Sequence, residues 1–403
     1  MAAQNNYDAI ILGAGGAGLM CALAAGQNGR RVLVIDHASG PGKKILISGG
    51  GRCNFTNVNA TTSHAQERYL SANPHFAKSA LGRFTPQDFV ELVQAHGIAF
   101  HEKTLGQLFC DGSARQIVEM LMDECDKSVA SGGRIDFAFN APVGEVSHDG
   151  SEYRVSYNGL KANAPSLVIA TGGPSIPKMG ATGLAYDLAR QFGLKIVEPR
   201  PALVPLTLGG DDILFRELSG VSAEVVAKQG IAAFREAALF THRGLSGPAV
   251  LQISSYWKPG DAIAIDFLPD DDAAELLLAA KRANPRATVR STLDRCLSAR
   301  LAEALAERLE LIGNLADQSD RKLVDAGARL GNWSFTPNGS EGYAKAEVTL
   351  GGISTDGLSQ QTMEAKKVPG LYCIGEAVDV TGWLGGYNFQ WAWASGVAAG
   401  HAV

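Results

Sequence analysis

Residues Gly13-Ala14-Gly15-Gly16-Ala17-Gly18 have the spacing G-x-G-x-x-G. They follow an apolar strand-like run at 7–12 and open a helix-like run to about Gln27. Such a turn does its chemistry with backbone rather than side chains. Glycine at the first position permits the sharp strand-to-helix turn. Glycine at the second removes a side chain where a phosphate approaches, and at the third it lets helix and strand pack closely. The N–H groups of the turn, Gly16 and Ala17 included, and the helix dipole favour an anion. Asp36 ends the next apolar run, at 31–36. An acid there is placed to accept hydrogen bonds from an adenosine ribose, and it disfavours a 2′-phosphate. These features read as a dinucleotide site but do not separate FAD from NAD.

Two distant segments make that separation. Residues 167–173 form an apolar strand ending in Thr171-Gly172-Gly173. Residues 371–377 form another, ending in Gly375-Glu376, and Gly385-Gly386-Tyr387-Asn388 then lead into an Ala/Gly-rich helix. In two-part FAD proteins the first kind of strand end runs back under the FAD. The second carries an acid, usually Asp, for the ribitol. The helix after it points its N-terminus at the flavin edge that becomes negative on reduction. NAD-only Rossmann enzymes lack this last element, so the expectation is non-covalent FAD. Ahead of both segments lies the stretch Gly42 to Asn57, with Lys44, Ser48, three consecutive glycines ending at Gly51, then Arg52, Cys53 and Asn54. Its place after the second strand sets it along the FAD towards the flavin. Arg52, Asn54 and Asn57 are candidates for phosphate or the flavin's pyrimidine edge.

The stretches ILGAGGAGLM, GKKILISGGGRCNFTN, LVIATGGPSIPKMGATG, LFTHRGLSGPAVLQIS and GLYCIGEAVDVTGWLGGYNFQWAWASG resemble the YhiN-like (BaiN-like) flavoproteins, some of which are named aminoacetone-oxidase-like. The resemblance spans nearly the whole chain. It implies an α/β fold, a Rossmann-like two-part FAD-binding domain of the glutathione-reductase kind, interrupted by a β-rich, barrel-like domain with a small helical insertion. The changes of character along the chain place the FAD domain at 1–194 and 345–403 and the β-rich domain at 195–272 and 330–344. The helical subdomain falls at 273–329. The family's reaction is poorly defined, so the resemblance speaks to the cofactor more than to the substrate.

No second G-x-G-x-x-G and no C-x-x-C occur. A dedicated NAD(P)H domain and a disulfide relay are therefore not expected. Either NAD(P)H visits the flavin transiently, or a small-molecule substrate reduces the flavin and oxygen reoxidises it. His242, in the run Thr241-His242-Arg243-Gly244, is a candidate acid or base, with the alternative that it orders a turn. Cys53 is a candidate reactive thiol, with the alternative of a small buried side chain. Trp383, Tyr387, Trp391 and Trp393 either wall the flavin or fill the core. His96 and His101 lack further ligands at metal spacing, so no metal is expected.

Net charge is -5 over 403 residues, and no basic block stands out. Nucleic acid is therefore not expected as a partner. Six scattered cysteines read as reduced thiols. Residues 9–29 carry no charge, but their glycines and the absence of Lys or Arg before Arg30 favour a buried strand and helix over a membrane span or signal peptide. The expected location is the cytoplasm. Two functions stay open: an FAD-dependent oxidoreductase, and a non-enzymatic FAD-binding redox sensor.

Overall fold

The computed structural model describes residues 5–403. The chain divides into two compact units, one running to Arg200 and resuming at Val348, the other Pro201–Glu347.

The first unit is built on five strands: β1 (Ala9–Leu12), β2 (Arg31–Ile35), β5 (Arg134–Ala138), β6 (Ser166–Ile169) and β7 (Leu371–Cys373). They lie in the order β7-β6-β1-β2-β5, and every pairing is parallel. The central strands read as unbroken apolar runs because both faces are covered. Ile10, Ile11, Val168 and Ile169 are fully buried. Two further short strands, β3 (Asn54–Asn57) and β4 (Tyr69–Leu70), lie outside this sheet. β4 pairs antiparallel with β8 (Thr381–Gly382).

Helix α1 (Gly16–Gln27) is apolar on almost every side because it is enclosed on almost every side. The last helix, α3 (Tyr387–Gly400), packs along it at backbone distance. A Cβ on Gly396 would lie 2.5 Å from the Ala17 carbonyl oxygen, and one on Gly400 would lie 2.5 Å from that of Cys21. Between them in sequence comes a short helix, α2 (Lys43–Ile47).

Most local expectations have visible causes. Pro86 opens a helix, Pro86–Ala95, behind a Thr85/Asp88 capping box. The hairpin Val143–His148 with Tyr153–Tyr157 turns at Asp149, whose carboxylate accepts from the Ser151 and Glu152 N–H groups. Leu160–Ala164 pairs with the hairpin although its sequence is half polar. The strand Val348–Ile353 begins only after the chain turns, with Lys345 and Ala346 N–H donating to the Gly342 carbonyl.

The second unit is a seven-stranded antiparallel sheet. Four α-helices from Ala273 to Leu330 lie between Ile263–Asp266 and Trp333–Phe335, two strands that pair with each other. The insertion thus hangs from one inter-strand connection. Phe215, Phe240, Phe267 and Phe335 fill the core, with Phe215 and Phe335 edge to face at 5.0 Å. No described helix is long and apolar enough to cross a membrane.

Candidate cofactor and active site

The three motif glycines do three different things. Gly13 has φ +108°, and a Cβ there would lie 2.5 Å from the Ala170 carbonyl oxygen, so the turn presses against the end of β6. A Cβ on Gly18 would lie 1.9 Å from the Gly13 carbonyl oxygen, which seals helix to strand. Gly15 is different: a Cβ there meets nothing within 4 Å. The open space sits at the N-terminus of α1, whose first turn has no side-chain cap. Its N–H groups are free for an anion. Asp36 braces the turn from β2, its carboxylate accepting from Ala14 N–H at 2.6 Å and Ala38 N–H at 2.7 Å. At the end of β6 the Thr171 hydroxyl is buried without a hydrogen-bond partner. A ligand hydroxyl or phosphate would satisfy it.

The C-terminal motif closes on this turn. A Cβ on Gly375 would lie 2.8 Å from the Ala17 methyl, and one on Gly16 would lie 2.6 Å from the Trp393 ring. Trp391 and Trp393 are fully buried, and their indole N–H groups donate to the Gly375 and Phe55 carbonyls. Both are packing residues. The stretch from Ser48 to Asn57 is stitched to the same helix. Thr56 donates to Gln390 at 2.6 Å, and buried Asn57 donates to the Gly385 carbonyl at 2.8 Å. Asn57 therefore ties backbone rather than facing a ligand. Gly49, Gly50 and Gly51 all take the left-handed conformation, and Gly50 and Gly51 border open space. Ser48 turns its hydroxyl back to the Ile45 carbonyl, while Arg52 is exposed. Asn54 contacts Gln107 at 3.0 Å. Asn388 brackets Gly382, accepting from its N–H and donating to its carbonyl, which sets the loop before α3.

Glu376 sits in a network of its own. Its carboxylate accepts from Lys44 Nζ at 2.5 Å, from the Ser175 hydroxyl at 2.6 Å and from Thr349 N–H at 2.9 Å. Lys44 also donates to Ser175 at 2.6 Å. Burial acts to raise the Glu376 pKa, but Lys44, Ser175 and Thr349 outweigh it and hold the carboxyl below the usual range. Gly172 lies beside it, its would-be Cβ 3.9 Å from Glu376 Oε2, and a Cβ on Gly173 would strike the Thr349 hydroxyl at 2.5 Å.

A family model described as HI0933-like protein Rossmann domain matches residues 7–402. The chain belongs to this family. FAD is its cofactor, and the open anion-ready turn, the glycines at 50 and 51 and the orphaned Thr171 hydroxyl fit that molecule. A curated relative from Escherichia coli (strain K12), ribosomal RNA dihydrouridine synthase, is 51% identical over 97% of this chain and 96% of its own. A 3-dehydro-bile acid delta(4,6)-reductase from Clostridium scindens is 28% identical over 98% of each chain. Among solved structures, 3-ketosteroid delta1-dehydrogenase from Sterolibacterium denitrificans is similar, with TM-score 0.53 and 13% identity, covering 99% of both chains; this likeness concerns the fold.

In this HI0933-like chain the two candidate reactive side chains lie where their alternative readings put them. Cys53 is fully buried, and burial pushes its thiol up to about 12. A thiol so held stays protonated at neutral pH and is a poor nucleophile. His242 lies in the second unit on an exposed turn, where its carbonyl accepts from Arg216. His96 pairs with Glu124 at 2.6 Å and His101 with Asp111 at 2.5 Å.

One residue of this neighbourhood escaped the reading. Arg68 donates to the Tyr387 hydroxyl at 2.7 Å, and its guanidinium carbon lies 5.8 Å from the ring centres of both Trp383 and Tyr387. Tyr387 is the first residue of α3. Its phenol is raised above the ordinary value by burial, an effect partly offset by Arg68.

Proposed function

We propose that this FAD-dependent oxidoreductase reduces the C5=C6 bond of a uridine in ribosomal RNA, with NAD(P)H as the electron source. The supporting observation is the similarity, at 51% identity along almost all of both chains, to a protein of that name. FAD, when bound, carries two electrons from the nicotinamide to the substrate as hydride. The protein's share is to bind, orient and exclude water. The anion-ready turn of α1 holds the pyrophosphate end, and the junction of Gly49–Gly51 with α3 frames the flavin end.

The chemistry unites this reading with the name of the Clostridium relative. In a uracil ring C5=C6 is conjugated to a carbonyl. Steroid ring reductions of the kind that name denotes commonly act on the same grouping, so a ring C=C activated by a carbonyl is the substrate class we infer. An RNA substrate departs from the expectation drawn from net charge. A charge summed over 403 residues says nothing of local patches, and base recognition relies on stacking as well as charge. A uridine inside folded RNA must leave its stack to reach an enclosed site. Such a substrate also places the enzyme in the cytoplasm.

Ribosomal RNA transcribed in vitro carries no dihydrouridine. Incubated anaerobically with the holoenzyme and NADH or NADPH, then digested to nucleosides, it should show a uridine heavier by two hydrogens. Flavin bleaching by NAD(P)H without that product would replace the RNA with another substrate. No bleaching by either nicotinamide would leave the redox-sensor reading ahead.

A further inference from the structure

We propose that Arg68 and Tyr387 form a clamp for the carbonyl oxygen of the substrate ring and hold the negative charge that reaches it during reduction. The proposal deepens the reading above and rests on it for the reaction class, not for RNA as the substrate.

The backbone fixes Arg68 before its side chain does anything. Arg68 ends the helical turn Ala65–Arg68 and enters β4, which pairs with β8. Its carbonyl accepts from Trp383 N–H at 3.0 Å, so Arg68 stands opposite Trp383. The side chain then lies against two aromatic rings and reaches the Tyr387 hydroxyl. Tyr387 is held from its other side, where the Tyr69 hydroxyl donates to its carbonyl at 3.1 Å. Its residue exposure is 4%, so this position is set by packing.

The donor count leaves capacity unused. Accepting from Arg68 leaves the Tyr387 O–H to donate, and no described group accepts it. Arg68 Nε is buried without a hydrogen bond, its nearest acid being Glu67 at 3.8 Å. A planar cation beside a phenol with an unspent O–H donor suits a carbonyl oxygen that becomes an oxyanion. The pair stands at the start of α3, where the uncapped helix N-terminus favours the same sign of charge.

The step balances as a conjugate reduction. Hydride, two electrons and a proton drawn from NAD(P)H, adds to the β-carbon. The C=C pair shifts towards the carbonyl, whose oxygen takes the negative charge against Arg68 and the Tyr387 O–H. The enolate then collapses, and the α-carbon takes a proton from water. Arg68 keeps its proton throughout.

The test compares Tyr387→Phe, Arg68→Lys and Arg68→Met with wild-type holoenzyme on two probes, 2-cyclohexenone and the ribosomal RNA transcript. FAD content, melting temperature, enone affinity from the shift of the oxidised flavin band, and kcat are read separately. We expect full FAD content and unchanged melting, with kcat lower by about 100-fold or more in Tyr387→Phe. Enone affinity should be weakened, and Arg68→Lys should fall between wild type and Arg68→Met because charge persists while the fork is lost. Wild-type kcat and affinity in Tyr387→Phe and Arg68→Met would overturn the proposal. So would loss of FAD from Tyr387→Phe, which would make the pair a structural clasp. If wild type reduces the enone but not the RNA, and the variants fail on the enone, the clamp stands and the RNA reading falls. If the variants reduce the RNA at the wild-type rate, the reverse holds. If wild type reduces neither, enone affinity decides: weakened in the variants it supports the clamp, unchanged it overturns it.

Discussion

Lys44 and Glu376, 332 residues apart in sequence, meet at 2.5 Å in a polar network shared with Ser175. The acid that two-part FAD proteins usually turn to the ribitol here has its oxygens engaged by Lys44, Ser175 and Thr349 N–H. Glu376 thereby anchors Lys44, and whether it also holds cofactor is what its substitution tests. Glu376→Gln keeps the shape and removes the charge, so it should weaken FAD binding and shift the flavin potential. Unchanged affinity and potential would take Glu376 out of the site. The pH sign follows from the lowered pKa. Its stabilising effect is present above the ordinary glutamate range and is lost as pH falls through the lowered folded value. Thermal melts of Glu376→Gln should therefore show a shallower acid limb than wild type.

The glycine turn allows a sharper separation. Gly15→Val places a side chain in the space where nothing lies within 4 Å, so the protein should fold but emerge without FAD. Gly18→Val strikes backbone at 1.9 Å and should fail to fold. Absorbance and melting of the two purified variants check this. A yellow, fully loaded Gly15→Val protein would refute the phosphate role.

Close approach of α1 and α3 predicts a core lesion far from any reacting atom. Gly396→Leu cannot avoid the Ala17 carbonyl by rotating, since the clash begins at Cβ. Overpacking of this kind costs about 1–3 kcal/mol where side chains can adjust, and backbone is less able to. A loss at or above the top of that range in denaturant titration is the expected result.

Thiol labelling reports on burial. Cys21, Cys53, Cys110, Cys125 and Cys373 are buried, whereas Cys296 is exposed. Burial also pushes Cys110 up to about 11 and Cys125 up to about 12. In the native protein at neutral pH a thiol reagent should modify Cys296 alone, counted by intact mass, and all six after denaturation. Rapid native labelling of Cys53 would reopen its candidacy.

What was legible in the sequence was local. The strand–turn–helix at Gly13, the acid at Asp36 and the capped helix at Pro86 are written within a few residues of where they act. The roles of Asn57, Trp393 and Arg68 depend on partners hundreds of positions away. Arg68 lies in an ordinary polar segment, and only the pairing of β4 with β8 brings it to Tyr387. Glu376 was legible as a candidate, but its partner choice depends on where Lys44 falls in space. Cys53 was legible both as a reactive thiol and as a small buried side chain, and its side chain turns into the core.

The interlock of α1 with α3 has a consequence for how the enzyme is made. The phosphate turn and its almost wholly apolar helix are synthesised well before α3, and the face that α3 covers stays open until that helix emerges. A complete flavin site must therefore wait for α3, and a product terminated before Tyr387 would present greasy surface to chaperones and proteases in place of a dinucleotide site.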